Sequence, residues 1–211
     1  MRIAVGLVLL TDLIIRSLSI KAFFTDEGVL PIEILKQYNW SPNYFSLHAL
    51  SGDLWWQIVV FIINFLCIVL LIVGFRAKLF TFICWVFLTS LQNRNPFILQ
   101  GGDDMLRLLL FWATFLPWGE RYSIQKKSSY VNHYFDWANF GYILLPGSVF
   151  FFSALLKTSP EWRTEGTALY YALSLDQIRM PGGTLLYQLP LLMKILTYVV
   201  FYIELLAPFL L

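Results

Sequence analysis

The chain has 211 residues, of which 58% are hydrophobic and only 13% are charged, and its formal net charge is +2. A soluble globular domain carries about 25% charged residues, so this composition excludes an ordinary soluble fold and indicates a surface that faces lipid. The small, scattered positive charge also argues against a nucleic-acid partner. Cys67 and Cys84 both lie in apolar runs and form no pattern typical of a secreted disulfide framework.

Apolar stretches follow one another along the whole chain. They predict one all-α integral membrane domain over residues 1–211, with about six transmembrane helices and short extracytoplasmic helices. Two stretches have the length of about 20 residues that crosses a bilayer, and both chain ends fall close to apolar runs, as in a truncated protein. The stretches are 2–20, 54–75, 78–92, 105–118, 136–156 and 185–211.

The first stretch contains Asp12 and Arg16, four residues apart, and has no cleavage site of a signal peptide. Side chains with this spacing meet on one face of a helix, and charges in a membrane segment face the protein interior. We therefore predict a retained first helix with a structural ion pair between Asp12 and Arg16. A direct part of this pair in chemistry is the alternative.

Lysine and arginine are densest in the short connections on one side of the predicted helices, which carry Arg2, the turn at 76–78 and the loop at 121–127. Such connections face the cytoplasm, so we predict a multi-pass protein with a cytoplasmic N-terminus. The other face then gathers most of the unusual polar residues, in segments 23–31, 45–53, 91–104 and 155–162. We expect a functional site on this extracytoplasmic face, and we expect no shared metal site because His48 and His133 fall on opposite faces.

Several polar segments have structural interpretations. In Gly101-Gly102-Asp103-Asp104 the glycines permit a tight turn and an aspartate can cap the next helix. The order Ser159-Pro160-Glu161 predicts a helix start near 160–175, and Pro31 predicts another over 30–40. Trp55 and Trp56 are typical of an interfacial belt, and the alternative is that they line a site for a lipid-like quinone.

Lys157 follows the apolar run 150–156 and precedes a polar turn. A lysine at a helix end usually extends to water as an anchor. Partial desolvation would instead lower the pKa of its amine and make it available as a base. The residues alone leave both interpretations open.

Three segments carry a resemblance to a known family: "FFTDEGVLP" (23–31), "SLQNRNPFILQGGDDMLRLLLFW" (90–112) and "FFFSALLKTSPEWRTEGTALYYALS" (150–174). They resemble the HTTM domain, the horizontally transferred transmembrane family related to vitamin K-dependent gamma-carboxylase. The resemblance runs through nearly the whole chain. It implies a helical membrane domain with its site on the lumenal or extracytoplasmic side.

In that carboxylase a lysine deprotonates vitamin K hydroquinone, oxygenation then produces a strong base, and carbon dioxide adds to a substrate glutamate. Counting back from Trp162, Lys157 takes the place of the catalytic lysine. The resemblance therefore implies Lys157 as the base, a reduced quinone as cofactor, and Asn93, Arg94, Asn95, Asp103 and Glu161 as substrate-binding groups. One departure is that the carboxylase has a histidine where this chain has Asn93 and Asn95, and an asparagine cannot relay a proton.

The resemblance leaves three functions open. The first is a quinone-dependent epoxidase or carboxylase-like enzyme, whose partners are the lipid bilayer and a secreted peptide or protein substrate. The second is a non-catalytic membrane protein that assists maturation or export of a secreted peptide. The third is a structural membrane module. Binding of a quinone favours the first, and co-purification with a secreted peptide without turnover favours the second.

The predicted orientation can be tested with reporter fusions. A reporter that works only in the cytoplasm should be active when inserted within 122–132 and silent within 160–175, because lysine- and arginine-rich connections stay inside. Equal amounts of the two fusions are checked by immunoblot. The reverse pattern would contradict the predicted orientation.

Overall fold

The computed structural model describes residues 1–41, 44–117, 123–124, 137–175 and 183–210, and every regular element in these residues is helical. The all-α prediction is therefore confirmed for the described chain. Among the described residues, three helices are long and apolar enough to cross a membrane, namely Leu54–Val73, Trp137–Leu156 and Pro190–Leu210. These helices indicate a membrane protein. The chain forms two compact units, Met1–Asn139 and Phe140–Leu211.

The first unit is built on four longer helices that pack in chain order, α1 on α4, α4 on α5 and α5 on α6. Their buried faces share one apolar core that includes Leu13, Phe61, Leu71 and Leu88. The helices and their bounds are α1 (Arg2–Ser17), α2 (Ile20–Phe24), α3 (Ile32–Tyr38), α4 (Leu54–Val73), α5 (Ala77–Arg94) and α6 (Gly101–Ala113), with a 3₁₀ turn at Pro96–Ile98.

Helices α1 and α4 approach closely where α4 ends. A Cβ placed on Gly6 would lie 2.4 Å from Cγ1 of Ile72, so only glycine allows this spacing. At the same end, Arg2 donates to the carbonyl of Ile72 at 3.3 Å. Gly74, with φ of 85°, then ends α4 in the left-handed conformation. The start of α1 therefore lies beside the end of α4, and the two helices are antiparallel.

Polar segments meet at the opposite end of this unit. The start of α4, the end of α5 and the start of α6 lie there, because α4 and α5 form an antiparallel hairpin through a short turn. Two of the segments that the sequence assigned to one face, 45–53 and 91–104, contact each other at this end through a hydrogen bond from Asn93 to the carbonyl of Phe45. Pro31 precedes α3 directly, so the helix predicted over 30–40 is present.

The second unit contains most of α7 (Trp137–Leu156), followed by α8 (Pro160–Arg163), α9 (Ala168–Ser174), α10 (Gly183–Tyr187) and α11 (Pro190–Leu206), with a 3₁₀ turn at Ala207–Leu210. A helix starts at Pro160 as predicted, but the segment 160–175 forms two short helices, α8 and α9, and not one. Between them Gly166 has φ of 70°, a left-handed conformation that interrupts helical geometry. Both short helices pack against α11.

Candidate functional site

Three successive residues, Asn93, Arg94 and Asn95, donate from the end of α5 to the segment 23–53, and we call them the donor triplet. Asn93 Nδ2 donates to the Phe45 carbonyl at 2.9 Å, Arg94 Nη1 to the Leu30 carbonyl at 2.8 Å, and Asn95 Nδ2 to the Phe23 carbonyl at 3.0 Å. The bond to Leu30 is buried, the bond to Phe23 is partly buried and the bond to Phe45 is exposed. A buried carbonyl without a donor is costly, so the bond from Arg94 in particular holds the segment in place. In the structure, the three residues predicted to bind substrate therefore bind backbone carbonyls of this chain.

Arg94 is the most constrained member of the donor triplet. Its side chain is fully buried, and Nη2 lies 3.6 Å from Oδ1 of Asp26, which is half exposed. Asp26 Oδ1 also accepts from the backbone N–H of Ile32 at 2.9 Å. A Cβ on Gly52 would fall 1.9 Å from the carboxylate of Asp26, so glycine is required there. Arg94 Nε and Nη2 have no hydrogen-bond partner among the described residues.

His48 lies in the same polar region and was not singled out as a site residue from the sequence. Its Nδ1 lies 2.8 Å from Oε1 of Gln57, whose Nε2 donates to the carbonyls of His48 and Ser51. Because the amide nitrogen of Gln57 is the donor in both bonds, its oxygen must accept, and the proton of the neutral ring therefore sits on Nδ1. Burial, followed by the charge of Arg94, lowers the pKa of His48 to about 4. The ring is neutral at pH 7, and Nε2 is an acceptor.

Sequence reasoning missed this pair for an identifiable reason. Gln57 lies inside the apolar stretch 54–75, and a single histidine in a polar loop has no spacing that predicts a partner. The one available signal is the polar residue Gln57 four positions into a membrane-length helix, where an amide must find partners inside the protein. His133 lies outside the described residues, so the prediction that the two histidines fall on opposite faces stays a prediction.

Arg16 joins α1 to α6 through two carboxylates. Its Nε donates to both oxygens of Asp12 at 2.9 Å, and its Nη2 donates to Oδ1 of Asp103. The other oxygen of Asp103 accepts from the Gln100 N–H at 2.8 Å and so caps α6. The expected ion pair therefore has a third member, Asp103. Its carboxylate is occupied by Arg16 and by the Gln100 N–H, and the side chain is mostly buried, so it is not available to a substrate.

The glycines before Asp103 differ from the expectation. Gly101 and Gly102 form the first turn of α6 instead of a tight turn ahead of it. The change of direction occurs at Gln100, whose backbone is extended with φ of −126° and ψ of 166°. Any residue adopts this conformation, so the turn does not depend on glycine.

Lys157 in the second unit forms an ion pair with Glu204 of α11. Its Nζ also lies 4.4 Å from the centroid of the Trp162 ring, and Ser153 donates to the same carboxylate at 3.2 Å. The side chains of Lys157 and Glu204 are 17% and 18% exposed. An anchoring lysine extends to water, whereas this ammonium is held between a carboxylate and an indole.

Glu161 follows Lys157 in the chain and lies in the short helix α8. It is partly exposed, and a hydrogen bond from the hydroxyl of Ser159 lowers the pKa of its carboxyl. Ser159 precedes α8 as expected, but its side chain does not accept from the helix N–H groups. The assignment of Glu161 as a substrate-binding group stays a prediction.

Comparison with protein-family models, with curated proteins and with solved structures finds no match for this chain.

The cluster around Arg16 predicts an order of stability. Arg16→Met leaves the carboxylates of Asp12 and Asp103 without their cation, and we expect the free energy of unfolding to fall by about 3 kcal/mol. Asp12→Asn should lower the free energy of unfolding by less, because Arg16 keeps its ion pair with Asp103. The measurement is SDS titration in mixed micelles.

Arg107→Met is the matched control for Arg16→Met. Arg107 pairs with Asp104 at 2.7 Å, and their side chains are 31% and 58% exposed. Such exposed pairs contribute about 0–1 kcal/mol. A loss for Arg16→Met no larger than that for Arg107→Met would show that the buried cluster is not a structural tie.

The neutral state of His48 predicts a pH dependence of stability. In the unfolded chain a histidine takes a proton below about pH 6.5, whereas the folded His48 resists protonation down to about pH 4. Stability is therefore fully present above pH 6.5 and declines as the pH falls toward 4. Linkage gives a loss of about 2 kcal/mol at pH 5.

The check compares the thermal midpoints of wild type and His48→Gln between pH 7 and pH 5. His133 is present in both proteins, so its titration cancels in the difference. The wild type should lose more stability than the variant on acidification. Equal losses would contradict a buried neutral His48.

Proposed function

We propose that the chain is a membrane enzyme of the HTTM type, with a gamma-carboxylase-like reaction in which Lys157 takes a proton from the hydroxyl of a reduced quinone. The observation that supports this proposal is the ion pair of Lys157 with Glu204, held beside Trp162. Ionisable residues inside apolar helices are costly and usually mark functional sites. Glu204 lies in one of the three membrane-length helices.

The pair can move a proton as well as hold charge. A lysine that acts as base must first release its own proton, and the nearest acceptor is the carboxylate of Glu204. Transfer of the proton from Lys157 to Glu204 leaves two neutral groups. A poorly solvated site tolerates two neutral groups better than a single unpaired charge. The amine of Lys157 then carries a free lone pair for a substrate hydroxyl. Ser153 donates to the carboxylate and holds it in position.

The residues around Lys157 fit an aromatic diol. The indole of Trp162 offers a ring face beside the amine, and aromatic rings pack favourably on such faces. Lys157 and Trp162 would hold the reduced quinone, and the partly exposed amine can reach its hydroxyl. When bound, the quinone supplies the electrons that reduce dioxygen.

The finer membrane arrangement belongs to the same proposal. We place six helices, α1, α4, α5, α6, α7 and α11, across the bilayer, with the N-terminus in the cytoplasm and the site outside. Each of the six apolar stretches of the sequence carries one of these helices, which supports the number. The contact of Arg2 with the end of α4 supports the grouping of Arg2 with the basic turn at 76–78.

Lys157→Arg separates a base from an anchor. Arginine can still pair with Glu204 and stack on Trp162, but it does not give up its proton. We expect turnover to fall about a hundredfold or more while expression and thermal stability stay near wild type. The assay uses protein in proteoliposomes with vitamin K hydroquinone, bicarbonate and a glutamate-containing peptide, and quantifies quinone epoxide and carboxylated peptide by mass spectrometry.

Lys194→Arg is the control for this experiment. Lys194 is an exposed lysine of α11 in the same unit. Lys194→Arg therefore makes the same chemical change at a position away from the pair. The control should keep wild-type turnover. Full turnover in Lys157→Arg, or no turnover in the wild type, would contradict the proposed function.

A further inference from the structure

An apolar groove of about 300 Å³ runs along the first unit between α4 and the α1–α2 segment. This volume is at the lower end of the range for small-molecule sites. Ser17 is the polar residue on its wall, and its hydroxyl already donates to the carbonyl of Ile14 at 2.7 Å. The walls can therefore take an apolar chain, and they include Leu13, Ser17, Ile20, Ile58, Ile62 and Phe65.

Phe61 connects this groove to the buried polar region. Its ring lines the groove, yet the residue is only 6% exposed. The same ring contacts the ring of His48 with a centroid distance of 5.3 Å and the ring of Phe24 at 5.4 Å. One aromatic side chain thus belongs both to the wall of the groove and to the packing around His48. A change of the Phe61 rotamer would connect the groove to the region around His48.

The polar region has hydrogen-bonding capacity that the described residues do not use. His48 Nε2, Arg94 Nε and Arg94 Nη2 are buried without a hydrogen-bond partner. Burying such atoms without a hydrogen bond is unfavourable. His48 Nε2 is an acceptor in the neutral ring, while both Arg94 atoms are donors.

These atoms select the chemistry of a ligand. An anion would meet the lone pair of His48, and Arg94 already has Asp26 at 3.6 Å as its counter-charge. A cation would be repelled by Arg94. A neutral group that both donates and accepts satisfies His48 and Arg94 together, and the smallest such group is a hydroxyl.

We propose that the first unit binds a neutral lipid with a hydroxyl headgroup, its apolar chain in the groove and its hydroxyl between His48 and Arg94. The hydroxyl donates to His48 Nε2 and accepts from Arg94, and Phe61 moves aside to admit it. This site is built from α1, α2, α4 and the end of α5, and it does not depend on Lys157 or on the proposed reaction.

The test uses two photoactivatable probes with the full chain in phosphatidylcholine nanodiscs. One probe is a straight-chain alcohol with a diazirine in its chain, and the other is the methyl ether of the same molecule, which cannot donate a hydrogen bond. Peptide mass spectrometry maps the labelled residues. We expect the alcohol to label α1 and α4 about fivefold more than the ether, because one hydrogen bond contributes about 1 kcal/mol.

Two neighbouring positions of α4 provide matched variants. Ile62 lines the groove, whereas Ile63 does not, and the two are 53% and 45% exposed. Ile62→Trp should fill the groove and reduce labelling by the alcohol to the level of the ether, while Ile63→Trp should label as the wild type does. Both changes add an indole to an exposed position, so thermal stability should be similar, and it is measured for each.

Two results would overturn the proposal. Equal labelling of Ile62→Trp and Ile63→Trp would show that the groove is not the binding site. Equal labelling by alcohol and ether in the wild type would show that no hydroxyl reaches His48 and Arg94, and that water satisfies these atoms instead.

Discussion

The first unit depends on the need to satisfy backbone carbonyls of the segment 23–53 in a protein with little access to water. In its described residues this segment contains one complete short helix, α3, and the end of α2, so many of its carbonyls lack the partners that a long helix provides. The donor triplet at the end of α5 supplies the missing donors at three separate points along it. The end of α5 thus becomes the framework on which an irregular segment folds.

The same constraint determines how the charged side chains are placed. Arg16 is shared between Asp12 and Asp103, Arg94 faces Asp26, and Lys157 faces Glu204. An isolated charge in apolar surroundings costs several kcal/mol, and removing one partner of a buried pair is correspondingly severe. Apart from Arg16–Asp12 within α1, each pair also links elements that are distant in sequence. Charge compensation therefore contributes to the tertiary fold of each unit.

The three polar clusters differ in which atoms they leave available. Around Asp103 the carboxylate oxygens are taken up by Arg16 and by the cap of α6, so the group is structural. Around His48 and Arg94 several buried atoms have no hydrogen-bond partner among the described residues, although the surrounding bonds are well formed. At Lys157 the amine is paired but partly exposed, which keeps it reachable. Unused hydrogen-bonding capacity and access, more than the presence of a charge, distinguish a candidate site from a structural tie.

The sequence by itself determined the helical class, the membrane character and the positions of the apolar stretches, because these follow from composition and from the length of hydrophobic runs. It also predicted the pairing of Asp12 with Arg16, since residues four apart meet on any helix. The sequence did not predict that the segment 160–175 divides into two short helices. This division follows from the left-handed backbone conformation of Gly166 between them.

Only the tertiary structure decided which distant residues meet. Glu204 as the partner of Lys157 and Asp103 as the second partner of Arg16 depend on packing between elements that are distant in the sequence. Gln57 as the partner of His48 depends on how the loop before α4 folds onto that helix. No local pattern carries this information, because a side chain in an apolar helix shows only that it needs a partner and not where the partner lies. The donor triplet shows the same limit, since asparagine and arginine donors look alike in the sequence whether they bind a substrate or a backbone carbonyl.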